Sequence, residues 1–202
     1  MQWLRRTYDS AGLTQYPVGR HLSAVQALFG GSVMLCLDVS GSMAGGTRLA
    51  QAAAGCEAFV TEALAAGYAV GGVLWDHGVS ASTGGLSRDR TDTDRLFSNA
   101  SPRGGTNIVP TLKFCERLLE GLPGDLVVAI FGDGDLGDAG AAVAESRRLL
   151  DKNIRVITCG LGAASAESLG AISSEPTKPR VAVADNIAEA IAGMASGLKR
   201  RT

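Results

Sequence analysis

The hydrophobic pattern of the chain alternates between short continuous apolar runs and longer stretches with a helical period. Continuous runs of this kind are typical of parallel strands buried on both faces. They cover residues 33–39, 68–75, 126–131 and 154–159. Apolar residues recur every three or four positions over 47–66, 108–119 and 139–152. This period predicts helices with one buried face. Strands that alternate with helices indicate an α/β fold with a doubly wound, mostly parallel central sheet and helices on both faces.

Shorter elements complete the prediction. Residues 79–86 follow a short turn at 76–78, which predicts one antiparallel edge strand. The later elements are a helical turn over 92–97, a helix from Ser165 to residue 172, a strand over 181–183 and a final helix from Asp185 or Asn186 to residue 198. We expect residues 33–202 to form one domain. Residues 1–32 are expected to be an N-terminal extension packed on that domain, with an arm that docks a partner as the alternative.

Charge, hydrophobicity and cysteine content limit the partners and the cellular compartment that can be expected. The formal net charge of −1 gives no electrostatic basis for binding nucleic acid or an anionic membrane. No apolar run reaches the roughly 18 to 20 residues of a membrane span, so membrane insertion is not expected. The four cysteines lie far apart in apolar elements, without the spacing of a Cys or His metal site. They are interpreted as reduced core residues, which favours a reducing cytoplasm.

Five oxygen-bearing side chains lie after predicted strands or before a predicted helix. Asp38, Ser40 and Ser42 follow the first strand, Asp133 follows a later strand, and Thr106 lies in a glycine-rich loop before a helix. In a doubly wound fold, ligands bind beyond the carboxyl ends of the strands. Two carboxylates and three hydroxyls suit Mg²⁺ or Mn²⁺ better than Zn²⁺. The competing interpretation is a capped turn after the first strand and a threonine that only caps its helix.

Three segments, taken in this order, resemble the von Willebrand factor A (VWA) domain family: Asp38-Val39-Ser40-Gly41-Ser42, Gly104-Gly105-Thr106-Asn107 and Asp133-Gly134. The resemblance covers about residues 33–198 and implies a Rossmann-like VWA fold with a metal-ion-dependent adhesion site (MIDAS). It implies that Ser40, Ser42 and, in the engaged state, Thr106 bind Mg²⁺ directly, with Mn²⁺ or Ca²⁺ as alternatives. Asp38 and Asp133 would act mostly through waters or hydrogen bonds. The chain departs from the family at Gly132, where many members carry a Thr or Ser hydroxyl.

The resemblance also implies a function. Such domains act as metal-dependent protein-protein interaction modules, in which an Asp or Glu of the partner completes the metal shell. The chain looks similar to compact intracellular bacterial members, some of which are adaptors beside MoxR-like AAA+ ATPases, or lie in operons with phosphatases and kinases in stress or defence systems. We therefore expect a cytoplasmic adaptor without enzymatic activity.

Two other classes of function remain open from the sequence. One is a Mg²⁺-dependent phosphatase-like hydrolase, because Asp38 at the end of the first strand resembles the nucleophile of haloacid-dehalogenase-like enzymes. That chemistry needs a second carboxylate two positions later, where this chain has Ser40. The other is nucleotide binding, which the fold class permits. No glycine-rich phosphate-binding motif follows the first strand to support it.

Overall fold

A six-stranded sheet forms the centre of the computed structural model, which describes residues 30–176 and 178–198. The strands are β1 (Gly31–Asp38), β2 (Ala69–Trp75), β3 (Val79–Ser82), β4 (Asp125–Gly132), β5 (Ile154–Leu161) and β6 (Arg180–Ala182). Their order across the sheet is β3-β2-β1-β4-β5-β6. Among these strands, β3 alone runs antiparallel to its neighbour. The predicted extension over residues 1–32 lies almost wholly outside the described residues.

Helices cover both faces of the sheet. They are α1 (Arg48–Ala65), α2 (Thr91–Ser98), α3 (Val109–Leu119), α4 (Ala139–Asp151), α5 (Ala163–Gly170) and α6 (Ile187–Gly193), with short 3₁₀ helices at Gly41–Ala44 and Met194–Gly197. Apolar side chains of α1, α2 and α6 belong to one hydrophobic core, and those of α3, α4 and α5 belong to a second core on the opposite face. The predicted doubly wound α/β architecture is confirmed.

The central strand β1 explains why the sequence shows a continuous apolar run there. Val33, Leu35 and Leu37 pack into the core beside α1, whereas Met34 and Cys36 pack into the core beside α3. Successive side chains of a strand point to opposite faces, so a strand covered on both sides must be apolar at every position. Every residue of β1, including Asp38 at its carboxyl end, is buried.

The edge strand β3 is shorter than predicted. It ends at Ser82, whereas the sequence pattern predicted a strand to residue 86. Gly84 adopts a left-handed φ of 72°, which turns the chain out of the extended conformation. The chain then returns to the sheet through an isolated antiparallel bridge between Ser87 and Val70.

The start of α5 and the ends of the last two helices also differ from the prediction, whereas the final helix starts after Asn186 as predicted. Ser165 does not cap α5, because the helix begins at Ala163 after Gly162, whose φ of 86° suits glycine. Ser165 instead lies inside the helix with its Cα near Gly134. The final helix is regular only to Gly193 and continues as the 3₁₀ helix Met194–Gly197, although the pattern predicted one helix to residue 198.

The strand order reverses between β1 and β4. From β1 the chain crosses to β2 on one side, and from β4 it crosses to β5 on the other. In doubly wound folds, ligands bind beyond the carboxyl ends of the strands at such a reversal point. Asp38 is the last residue of β1, and Asp133 comes directly after β4. Both predicted carboxylates therefore lie at the reversal point of the sheet.

Candidate metal centre

The loop after β1 folds back on the carboxylate of Asp38. The backbone N–H of Ser40 donates a hydrogen bond to Oδ1 of Asp38 at 2.8 Å. Such a turn lets an Asp side chain bond the backbone two residues later. The hydroxyls of Ser40 and Ser42 are hydrogen-bonded to each other at 3.0 Å. Three oxygen-bearing side chains are thus gathered within one turn.

The loop after β4 joins this cluster. The hydroxyl of Ser42 donates a hydrogen bond to Oδ2 of Asp133, and the backbone N–H of Asp133 donates to Oδ2 of Asp38 at 3.3 Å. Asp38 and Ser40 are 0% and 1% exposed, respectively, whereas Ser42 is exposed. The cluster therefore has a buried base and an outer edge that faces solvent.

The two carboxylates belong to one hydrogen-bonded cluster. Burial, together with the charge of Asp133, outweighs the hydrogen bonds from Ser40 and from the Asp133 N–H and raises the pKa of Asp38 to about 6. Among residues 30–176 and 178–198, no Lys, Arg or His forms an ion pair with either carboxylate. A buried carboxylate beside a second one is costly unless positive charge compensates it.

Thr106 lies in a third loop, which backbone hydrogen bonds hold beside the other two. The N–H of Arg103 donates to the carbonyl of Val39 at 2.6 Å, and the N–H of Asn107 donates to the carbonyl of Asp76 at 2.6 Å. A Cβ on Gly137, in the loop after β4, would lie 2.6 Å from the Thr106 carbonyl oxygen. Within the part of the chain that the structure describes, the Thr106 hydroxyl makes no hydrogen bond with the other four side chains.

Gly132 is tightly packed against Asp38 and Trp75. A Cβ at this position would lie 2.9 Å from Oδ2 of Asp38 and 3.2 Å from Cζ2 of Trp75. Trp75 is fully buried and pairs in register with Asp38 across the neighbouring strands. The indole therefore occupies space beside Asp38, and only glycine fits next to it without displacement.

His77 is a neighbour of the site that sequence analysis missed. It lies exposed in the turn after β2. Its imidazole ring, however, lies directly against Gly105, whose φ is 82°. Any Cβ on Gly105 would overlap this ring. His77 therefore packs against the loop that carries Thr106, a contact between residues of different loops that no local pattern could reveal.

The donor set fits a hard cation. Among the described residues, no group of three or more His, Cys, Asp or Glu side chains is placed to hold a metal ion, so a zinc-type site of that composition is absent from this part of the chain. The cluster instead offers two carboxylates and neutral hydroxyls, which are the ligands that Mg²⁺ and Mn²⁺ prefer. Asp135 and Asp138 serve the loop itself, because their carboxylates accept hydrogen bonds from the N–H groups of Gly137 and Ala141.

The family model of the von Willebrand factor type A domain matches residues 33–135, which is just over half of the chain. The chain belongs to the VWA family. The matched region contains all five oxygen-bearing residues of the candidate centre and the reversal point of the sheet. Members of this family commonly serve as protein-interaction modules and often bind a divalent metal ion.

Solved structures similar to this VWA domain share its fold at low sequence identity. The von Willebrand domain of the type V pili tip protein Mfa5 from Porphyromonas gingivalis covers 87% of this chain and 98% of its own, at 15% identity and a TM-score of 0.74. The VWA domain of SpRpn10 covers 79% and 93%, at 10% identity and a TM-score of 0.66. The manganese-loaded TRAP protein of Plasmodium vivax covers 83% and 73%, at 15% identity and a TM-score of 0.60. A search of curated proteins finds no match.

No helix within the described residues of this VWA domain is long and apolar enough to cross a membrane.

Proposed function

We propose that this VWA domain is a metal-dependent protein-interaction module. Ser40, Ser42, Thr106, Asp38 and Asp133 would hold a Mg²⁺ ion, with Mn²⁺ or Ca²⁺ as alternatives. When bound, the ion would supply an open coordination position that an Asp or Glu carboxylate of a partner protein can fill. The observation that carries the proposal is the pair of neighbouring carboxylates, one of them fully buried, with no compensating cation among the described residues.

The five side chains are suited to different tasks. Asp38 accepts hydrogen bonds from two backbone N–H groups at the buried base, which supports a role in orienting the loops rather than in contacting a partner. Ser42 lies at the exposed edge, where an incoming carboxylate would approach. Thr106 lies in the third loop, which backbone hydrogen bonds hold beside the other two, and its hydroxyl would join the shell in the engaged state.

A binding role accounts for this donor set better than catalysis does. A phosphatase of the haloacid dehalogenase type would need a carboxylate at position 40 as its acid or base, and the hydroxyl of Ser40 cannot replace it. Ser40 is also 1% exposed and bonded to Ser42, which leaves it poorly placed to reach a substrate. We therefore propose that the protein is not an enzyme. Phosphatase turnover by the pure protein that is abolished in Asp38→Asn would overturn this.

The cellular compartment and the kind of partner are proposed from the sequence. Four buried cysteines without disulfides support a reducing compartment such as the cytoplasm. A partner that presents an acidic residue, such as a MoxR-like AAA+ ATPase or an operon-encoded phosphatase or kinase, remains a prediction from the family resemblance.

Isothermal titration with Mg²⁺ tests the metal centre directly. We expect the wild-type protein to bind Mg²⁺. Ser42→Ala removes a hydroxyl oxygen and Asp133→Asn removes a negative charge, so we expect each to weaken binding by about tenfold or more. Asp135→Asn is the matched control, since the side chain of Asp135 bonds the N–H of Gly137, and the substitution keeps the backbone N–H that donates to Asp133. Equal Mg²⁺ affinity in all four proteins would refute the centre.

Affinity capture then tests the interaction. The wild-type protein should retain a partner in Mg²⁺ and release it in EDTA, whereas Asp38→Ala should not retain it in either buffer. Substitution of single acidic residues of the captured partner should identify the one carboxylate that binding requires. If the partner is retained equally with and without EDTA, and equally by the wild type and Asp38→Ala, the domain binds its partner without the metal.

A further inference from the structure

A cavity of about 460 Å³ lies beside the candidate metal centre, between β3, α2 and the segment that leads to Thr106. Leu74, Ala81 and Leu96 form its apolar floor. Arg95, Arg103 and Asp92 are the charged residues of its rim. The proposed ligand set of the metal centre includes none of these six residues.

The cavity adjoins the metal centre through the backbone. The N–H of Arg103 donates to the carbonyl of Val39 at 2.6 Å, and Val39 lies between Asp38 and Ser40. A Cβ on Gly41, the residue between Ser40 and Ser42, would lie 3.4 Å from the carbonyl oxygen of Arg103. On the floor, Leu74 pairs in register with Leu37, the residue before Asp38. A short peptide held at one site would therefore reach the other.

The charges of the rim favour an anionic ligand. Arg95 forms only a long ion pair with Asp92, at 3.8 Å, and both side chains are largely exposed, at 74% and 62%. The side chain of Arg103 forms no ion pair with another described residue. Two arginines against one aspartate leave the rim positive, although the whole chain has a net charge of −1. Arginine binds carboxylates well because its planar group offers several N–H donors.

We infer that this cavity binds an acidic peptide segment, with an apolar side chain on the Leu74, Ala81 and Leu96 floor and a carboxylate at Arg95 and Arg103. The same segment of a partner would place a second carboxylate at the metal centre. That joint engagement rests on the proposed function, but carboxylate binding in the cavity does not. The cavity would then select among acidic partners, which the metal alone cannot distinguish.

Nuclear magnetic resonance titration in EDTA separates the cavity from the metal centre. The probes are the capped dipeptides acetyl-Leu-Glu-amide and acetyl-Leu-Gln-amide, which differ in charge but hardly in shape. We expect the Glu peptide to shift the amide signals of Leu74, Ala81 and Leu96 in a saturable way. The Gln peptide should bind about two- to fivefold more weakly, the range that one exposed ion pair supplies.

Three variants complete the test. Arg95→Gln and Arg103→Gln should each reduce the preference for the Glu peptide, while Arg147→Gln, an exposed residue of α4 on the opposite face, should leave it unchanged. Absence of saturable shifts, equal affinity for the two peptides, or a preference that survives both rim substitutions would overturn the inference. Because EDTA is present throughout, these outcomes leave the proposed metal function standing, and failure of Mg²⁺ binding leaves this result unaffected.

Discussion

The backbone N–H of Asp133 donates a hydrogen bond to Oδ2 of Asp38 at 3.3 Å, joining residues 95 positions apart in sequence. The other oxygen of the same carboxylate accepts from the N–H of Ser40 at 2.8 Å. One buried side chain therefore holds both loops that carry candidate metal ligands. These hydrogen bonds would hold the two loops in place before an ion binds. Less conformational entropy is then lost on binding.

The pKa of Asp38 predicts how the stability of the metal-free protein depends on pH. Its pKa rises from 3.8 to about 6 on folding, so the folded state binds the proton more tightly than the unfolded state. The stabilisation is therefore present at low pH and is lost as pH rises through 6. We expect this group to lower the free energy of unfolding by about 1 kcal/mol between pH 5 and pH 7.

Urea denaturation in EDTA at both pH values measures this change. Asp38→Asn is the control, because asparagine does not titrate but keeps a side chain of similar shape. The wild-type stability minus the variant stability should fall by about 1 kcal/mol from pH 5 to pH 7. Saturating Mg²⁺ at pH 7 should stabilise the wild type and leave Asp38→Asn nearly unchanged. A difference that stays constant with pH would contradict the assignment of the shift to Asp38.

The second prediction concerns the glycine beside this carboxylate. In Gly132→Ala, the new Cβ would lie 2.9 Å from Oδ2 and 3.1 Å from Cβ of Asp38, so the carboxylate or the indole of Trp75 must move. We expect a loss of about 1–3 kcal/mol in the free energy of unfolding, as in other overpacked cores. Mg²⁺ affinity should fall as well, because Asp38 orients both loops.

Gly193→Ala controls for the general effect of the added methyl group. Nothing lies within 4 Å of a Cβ at this position, and its φ of −61° is helical. Alanine should leave stability unchanged or raise it slightly there, since it favours helices over glycine. If Gly132→Ala were as stable as Gly193→Ala and bound Mg²⁺ as tightly as the wild type, the tight packing around Asp38 would be wrong.

The third prediction tests whether the contact between His77 and Gly105 positions Thr106. Gly105→Ala adds a Cβ that overlaps the imidazole ring, at a φ of 82° that L-residues seldom adopt. The loop must shift, so we expect weaker Mg²⁺ binding by isothermal titration. The double variant with His77→Ala should recover part of the affinity, because the overlap disappears while the backbone strain of about 1–2 kcal/mol remains.

Gly104→Ala is the matched control for this loop. Nothing lies within 4 Å of its Cβ position, and its φ is not in the left-handed region. It should bind Mg²⁺ like the wild type. Normal affinity in Gly105→Ala would mean that the loop tolerates the overlap without moving Thr106, and that Thr106 does not depend on His77.

Local pattern was sufficient to predict the buried strands β1, β2, β4 and β5, but not where the edge strand β3 ends. Val33 to Leu37 are apolar at every position because their side chains pack alternately into the two hydrophobic cores. The placement of Asp38 and Asp133 at one edge followed, since it depends only on the parallel order of the strands. Hydrogen bonds between the two loops could be expected from the sequence, but the atoms that form them could not be predicted.

Contacts between distant loops account for what the sequence could not predict. Ser165 has the polarity of a helix cap, but a Cβ on Gly134 would come within 2.9 Å of its Cβ, so Ser165 packs against the loop after β4 from inside the helix. The close approach of His77 to Gly105 likewise depends on two loops meeting. Glycines at such contacts are visible in sequence, yet their neighbours are not. The cavity beside the metal centre also forms between segments far apart in sequence.

The cysteines give a prediction that is independent of the metal. All four are buried, and the Sγ atoms of Cys36 and Cys115 lie 3.6 Å apart. The hydrogen bond with Cys115 and burial raise the pKa of Cys36, and burial raises the pKa of Cys159 to about 11, so the reactive thiolates are scarce at neutral pH. We expect Ellman's reagent to react slowly with the native protein and rapidly with all four thiols in guanidinium chloride. Rapid stoichiometric reaction without denaturant would show that these core positions are accessible in solution.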